Sequence, residues 1–216
     1  MTFILITEIQ QAVHALLMST YLASLPQVMQ DKSKRYLRWQ DQQAYVLGKL
    51  LVRKGFEMFN SDTDPLQHIR HNTYGKPFVE GTIDFNISHS GKYVVCICSN
   101  TYKVGIDIEE MKSIDYLDFK SQMCEEEWNR LLQAQDKKQE FYHYWTSKEA
   151  TIKAIGKGLS IPLKSFIINN NKTIVENKVW HLHQIEIDPS YGCHFALDKN
   201  INQKDISVFR KNPDQL

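Results

Sequence analysis

Two periodicities alternate twice along this chain, and that order constrains its fold more than any other feature. Tyr36, Trp39, Leu47, Leu50, Leu51, Met58 and Phe59 recur at helical spacing and predict a long helix over residues 32–60, broken near Asp41. Short apolar runs at 83–87, 93–98 and 104–109 follow, the first two joined by a polar turn, Ser88-His89-Ser90-Gly91-Lys92. The order then returns. Helices are predicted over 125–135 and 139–155, the second stopped by Gly156 and Gly158. β-like runs follow at 166–168, 173–175, 179–187, 193–197 and 206–209. A strand at 3–9 and a short helix at 11–24, ending near Pro26, precede both blocks. Helices and strands ordered this way give an α+β chain. A boundary near 100–103 divides it into subdomains 1–102 and 103–216, without any internal repeat at the level of sequence.

Of the 216 residues, 42% are hydrophobic, enough for one sizeable core or two small ones packed together. The net charge of +1 carries no polyanion signature, so no nucleic-acid partner is expected. No run approaches the roughly 18 apolar residues of a membrane helix. The start, MTFILITEIQ, lacks a basic n-region, so a cytoplasmic protein is expected, away from membranes. The four cysteines form no Cys-x-x-Cys pair, which argues against structural zinc and dithiol redox chemistry.

Four short segments could carry chemistry. In Gly105-Ile106-Asp107-Ile108-Glu109, strand alternation sends both isoleucines to a core and both carboxylates to the other face. Two carboxylates about 6.5–7 Å apart along a strand can converge on one hard cation, magnesium, manganese or calcium rather than zinc. Spacing alone fits a solvated acidic face as well. Glu149 and Lys153 share a helix face, either as a surface ion pair or as a third carboxylate with a phosphate-binding lysine. Ser88, His89 and Ser90 before Gly91 offer donors to a phosphate, or simply form a hairpin turn. Lys32, Lys34, Arg35 and Arg38, with Lys76 in a Gly-Lys-Pro turn, form a basic group that matters only to an anionic partner. His68 with His71, and His181 with His183, are read as structural.

Together these segments have a specific order: Tyr74-Gly75-Lys76-Pro77, Phe85-Asn86-Ile87-Ser88-His89-Ser90, Val104-Gly105-Ile106-Asp107-Ile108-Glu109, the Trp145 to Lys153 run, then Gly156-Lys157-Gly158-Leu159-Ser160. The series resembles the surfactin-type 4′-phosphopantetheinyl transferases from about residue 32 to 163. The resemblance implies two similar α/β subdomains with the active site in the cleft between them. It implies transfer of 4′-phosphopantetheine from coenzyme A to a serine of an apo acyl or peptidyl carrier protein, releasing 3′,5′-ADP. Asp107, Glu109 and Glu149 would hold Mg²⁺, or Mn²⁺ in its place. Lys153 and His89 would contact coenzyme A phosphates, and Lys76 and Ser88 would line the coenzyme site. Lys32, Lys34 and Arg35 would approach the 3′-phosphate. Glu149 is the candidate base, Lys153 a point charge, and the expected working unit is a monomer.

The family often has arginine where this chain has Ala44, so that coenzyme contact is expected either to be missing or to be supplied by Arg38 or Lys49. The carrier is expected to dock beside the cleft, with 123–135 as one candidate surface, although Glu127 could instead approach the active site. A metal-dependent phosphate or pyrophosphate hydrolase, and a carrier-binding module without activity, would use the same residues differently.

Overall fold

The computed structural model describes residues 1–202 and 205–216. The chain runs β1 (Thr2–Glu8), α1 (Gln11–Leu16), α2 (Gln27–Ser33), α3 (Trp39–Glu57), β2 (Arg70–His71), β3 (Pro77–Phe78), β4 (Asp84–Ser90) and β5 (Tyr93–Ser99). It continues as β6 (Val104–Glu110), α4 (Glu125–Gln133), α5 (Lys137–Ile155), β7 (Lys172–Val175), β8 (Lys178–Gln184), β9 (Tyr191–Leu197) and β10 (Ile206–Arg210). The strands form two four-stranded sheets, β10–β1–β5–β4 and β6–β9–β8–β7, and a small β2–β3 hairpin. The last strand, β10, pairs in parallel with β1 and so returns to the first sheet.

The sequence of each strand matches its place. β5 (YVVCICS) and β9 (YGCHFAL) lie inside their sheets and are buried along their whole length. Their near-continuous apolar character is what a strand covered on both faces requires. Helix α3 packs on the first sheet through Leu47, Leu51 and Phe56 against Phe85, Val94 and Cys96. Helix α5 covers β6 and β9. Between the sheets lies a third core, in which Ile4, Ile6, Val95 and Ile97 meet Ile106, Ile108, Phe195 and Leu197. The order of layers is therefore helix, sheet, sheet, helix, as two α/β halves of similar build predict. Among the described residues, no helix is long and apolar enough to cross a membrane.

β4 and β6 run side by side where the sheets meet, yet they are joined by side chains rather than by a main-chain ladder. Asp84 Oδ2 accepts from Val104 N (2.8 Å), Asn86 Oδ1 from Ile106 N (2.9 Å), Ser88 Oγ from Ile108 N (3.4 Å) and Ser90 Oγ from Glu110 N (3.1 Å). Every second side chain of β4 thus satisfies an edge N–H of β6 that burial would otherwise strand.

Three elements differ from the sequence reading. The helix over 32–60 is two helices, and residues 34–38 between them are not helical. The break precedes Asp41, whose carboxylate lies in the first turn of α3 and complements that helix end. Ser88-His89-Ser90 is strand rather than turn because both hydroxyls bond to β6, and the chain reverses at Gly91 (φ +53°). Residues 166–168 form no ladder, since buried side chains take their polar groups: Lys148 Nζ bonds Phe166 O (2.5 Å) and Glu127 Oε1 accepts from Ile168 N (2.9 Å).

Candidate active site

Alternation along β6 builds the site. Ile106 and Ile108 fill the core between the sheets, while Asp107 and Glu109 point to the face covered by α5. That helix supplies Glu149 and, one turn on, Lys153. From the first half of the chain, β4 brings Ser88 and Ser90. Lys153 Nζ donates to Asp107 Oδ1 at 2.5 Å and to Ser88 Oγ at 3.0 Å, and Ser88 Oγ donates to the same Asp107 oxygen at 2.9 Å. Ser90 Oγ donates to Glu109 Oε2 at 2.7 Å.

Asp107 is 2% exposed, and its Oδ2 has no hydrogen-bond partner. A solvated acidic face is therefore ruled out for Asp107, while Glu109 beside it is half-buried. Burial, and then the charge of Asp107, raise the Glu109 carboxyl above its ordinary pKa, with Ser90, Lys153 and Lys112 opposing. Glu149 is raised by the same two causes in the same order, and Glu109 adds to them. His89 is exposed as a residue, yet desolvation of its ring and then the Lys153 ammonium lower its pKa, so the imidazole is neutral at pH 7. Three carboxylates thus face one lysine in a poorly solvated place. An all-oxygen, net negative set with a buried, unsatisfied carboxylate oxygen fits a hard divalent cation. As they stand, no three or more His, Cys, Asp or Glu side chains among the described residues are gathered closely enough to hold a metal.

The basic residues lie elsewhere. Lys32 lies in the last turn of α2, Lys34 and Arg35 follow that helix, and all three are exposed. Lys32 and Lys49 approach the Tyr45 ring, their ammoniums 5.5 and 5.2 Å from its centroid. Ala44 is 2% exposed in the core of the first half, while Arg38 is exposed. Lys76 bonds within the protein, to Asp84 Oδ2 and two backbone carbonyls. Glu127 does not approach the carboxylates: it is fully buried and paired with Lys148.

Sequence reasoning offered Ser90 only as a phosphate donor or a turn residue; its partner on β6 was legible only as the i, i+2 rhythm Asp84, Asn86, Ser88, Ser90. It also missed His194, which lies opposite Asp107 on β9 and is held by Thr146 (2.6 Å) and His143 (3.1 Å). Burial, and then His143, lower its pKa to about 3, so it stays neutral. Removing the Ser90 hydroxyl leaves both Glu109 and Glu110 N–H short of a partner. Ser90→Ala should lower the free energy of unfolding by about 1–2 kcal/mol, and Ser90→Thr should recover most of it in urea titrations. Equal stability of all three proteins would mean that water replaces the hydroxyl at no cost.

Residues 103–205 match the 4′-phosphopantetheinyl transferase superfamily, and residues 14–101 match the family described as 4′-phosphopantetheinyl transferase, N-terminal. The chain is 43% identical over 145 residues to 4′-phosphopantetheinyl transferase gsp of Aneurinibacillus migulanus, spanning 64% of this chain and 59% of that protein. With 4′-phosphopantetheinyl transferase Sfp of Bacillus subtilis (strain 168) the identity is 35% over 179 residues, 74% of this chain and 76% of the relative. With 4′-phosphopantetheinyl transferase ffp of Bacillus subtilis it is 32% over 190 residues, 82% and 84%. A two-lobed α+β fold with an acidic, lysine-bearing cluster at its seam, matched over both halves, defines the phosphopantetheinyl transferase class. Within it, the chain belongs to the Sfp-like 4′-phosphopantetheinyl transferase family.

Proposed function

We propose that this chain transfers the 4′-phosphopantetheine arm of coenzyme A to a serine of an apo acyl or peptidyl carrier protein, in nonribosomal peptide or polyketide biosynthesis. The observation that carries the reading is the hydrogen-bonded cluster of Lys153, Asp107 and Ser88 across the seam, with Glu109 and Glu149 near enough for the Asp107 charge to raise both. The proposed division of labour follows the halves: 1–102 supplies Ser88, His89 and the basic group, and 103–216 supplies the carboxylates and Lys153. Asp107, Glu109 and Glu149 would hold Mg²⁺, or Mn²⁺, which would offset the charge developing on the pyrophosphate oxygens.

The carrier serine oxygen forms a bond to the β-phosphorus of coenzyme A, the bond from that phosphorus to the bridging oxygen breaks, and 3′,5′-ADP leaves. Glu149 takes the serine proton; burial and the neighbouring Asp107 charge raise its carboxyl above the ordinary value, which suits a base. Lys153 places a positive charge beside the reacting phosphate. Neutral His89 donates a hydrogen bond to a coenzyme phosphate, and Ser88 lines the coenzyme site. Lys32, Lys34 and Arg35 hold the 3′-phosphate, and Lys76 belongs to the wall of the coenzyme site. All these groups lie in one chain, which supports a monomer as the working unit. The cysteines are free thiols, as a reducing cytoplasm would keep them.

Intact-mass spectrometry of apo carrier proteins incubated with coenzyme A and Mg²⁺ tests the proposal. The expected result is a carrier heavier by one phosphopantetheine. EDTA should abolish the gain, and Asp107→Ala should slow it by at least about a hundredfold. Glu149→Gln should cut turnover far more than coenzyme binding. Coenzyme A cleaved with no carrier gaining mass would replace transfer by hydrolysis.

A further inference from the structure

The side chain of Lys76 is 11% exposed, and its ammonium is engaged within the protein. It lies 3.2 Å from each of three oxygens: Asp84 Oδ2 at the start of β4, Val104 O at the start of β6 and Ala154 O near the end of α5. An ammonium has three donors, so this set uses all of them. The three elements it joins carry Ser88, Asp107 with Glu109, and Glu149 with Lys153.

Asn72 completes the junction. Its Nδ2 donates to Gly156 O at 2.7 Å, and its Oδ1 accepts from Tyr74 N and Lys76 N, both at 2.9 Å. One amide therefore folds the 72–76 turn and ties it to the end of α5. Gly156 closes that helix at φ +79°, and a Cβ there would come within 2.7 Å of Lys76 Cδ. The helix thus ends against the lysine stem, with a cation at its carbonyl end, where the helix dipole favours one.

We propose that Asn72 and Lys76 are positioning residues for the transfer reaction: a clasp from the first half of the chain that fixes α5 against β4 and β6, and so sets the geometry among Ser88, Asp107, Glu149 and Lys153. This rests on the function proposed above. Lys76 acts through those groups, and its ammonium does not hold a coenzyme phosphate.

Lys76→Met keeps the stem and removes the ammonium. Asn72→Asp keeps the acceptor for the turn and removes the donor to Gly156, and serves if the first variant folds poorly. Carrier loading is measured well below each melting temperature, alongside hydrogen–deuterium exchange without substrates. Both variants should lose about tenfold or more in kcat, with the KM for coenzyme A within about threefold of the wild type. Exchange should quicken over 104–110 and 149–156. A coenzyme KM raised about tenfold at unchanged kcat would make Lys76 a coenzyme contact and overturn the proposal. A lower melting temperature with kinetics and exchange unchanged would also overturn it. If the wild type loads no carrier, the functional reading fails on that result alone, and the exchange data still decide the clasp.

Discussion

Lys148→Met should destabilise the protein by about 3–5 kcal/mol, because it strands a buried carboxylate. Lys148 is 2% exposed and Glu127 0%, and their charged atoms lie 2.8 Å apart. The lysine also donates to Leu163 O (2.7 Å) and Phe166 O (2.5 Å), and Glu127 accepts from Ile168 N (2.9 Å). One ion pair therefore pins α4, α5 and the irregular segment after α5 together. The loss is large against the roughly 5–15 kcal/mol that holds a typical domain folded. Lys148→Met with Glu127→Leu should recover part of it, since no charge is then left buried, but the orphaned backbone groups should keep recovery incomplete. Denaturant titrations of the double-mutant cycle measure both terms. A single variant within about 1 kcal/mol of the wild type would mean that water reaches this pair in solution.

Gly105→Ala should be nearly as damaging, and should reach the chemistry as well. An added Cβ would lie 2.2 Å from Ala150 O, 2.3 Å from Ala154 N and 2.9 Å from Ala154 Cα, all main-chain atoms of α5. No side chain can swing aside, so the helix must lift from β6. Overpacking of this kind costs about 1–3 kcal/mol or more, a fall of roughly 2–12 °C in melting temperature for a chain of this size. Lifting α5 moves Glu149 and Lys153 away from Asp107, and a displacement near 1 Å can cost about a hundredfold in rate. Thermal scans and single-turnover carrier loading test the two effects separately. Full activity in a protein of normal stability would mean that the helix and strand are not in close contact.

Strand alternation alone makes the polarity of β6 legible: Ile106 and Ile108 inward, Asp107 and Glu109 together on the other face. The family motifs supply the remaining partners. What alternation cannot supply is the reason Asp107 is buried rather than solvated, because that depends on α5 lying close over Gly105. The i, i+2 rhythm of Asp84, Asn86, Ser88 and Ser90 is equally present, but short polar side chains before a glycine read locally as a turn. Only the neighbouring edge strand, some 20 residues on, turns them into ladder partners. Lys148 and Glu127 are hidden for the opposite reason. Charged residues on helices are usually solvated, and local sequence carries no sign of a partner in another element.

All four acceptors that join β4 to β6 are side-chain atoms of β4. At one end of the row the Lys76 ammonium touches both Asp84 and Val104. At the other, Ser88 and Ser90 reach across to Asp107 and Glu109. A main-chain ladder is indifferent to side-chain identity, because its donors and acceptors belong to every residue. The joint between the two halves has no such insurance: each of its four bonds can be unmade by a single substitution on β4.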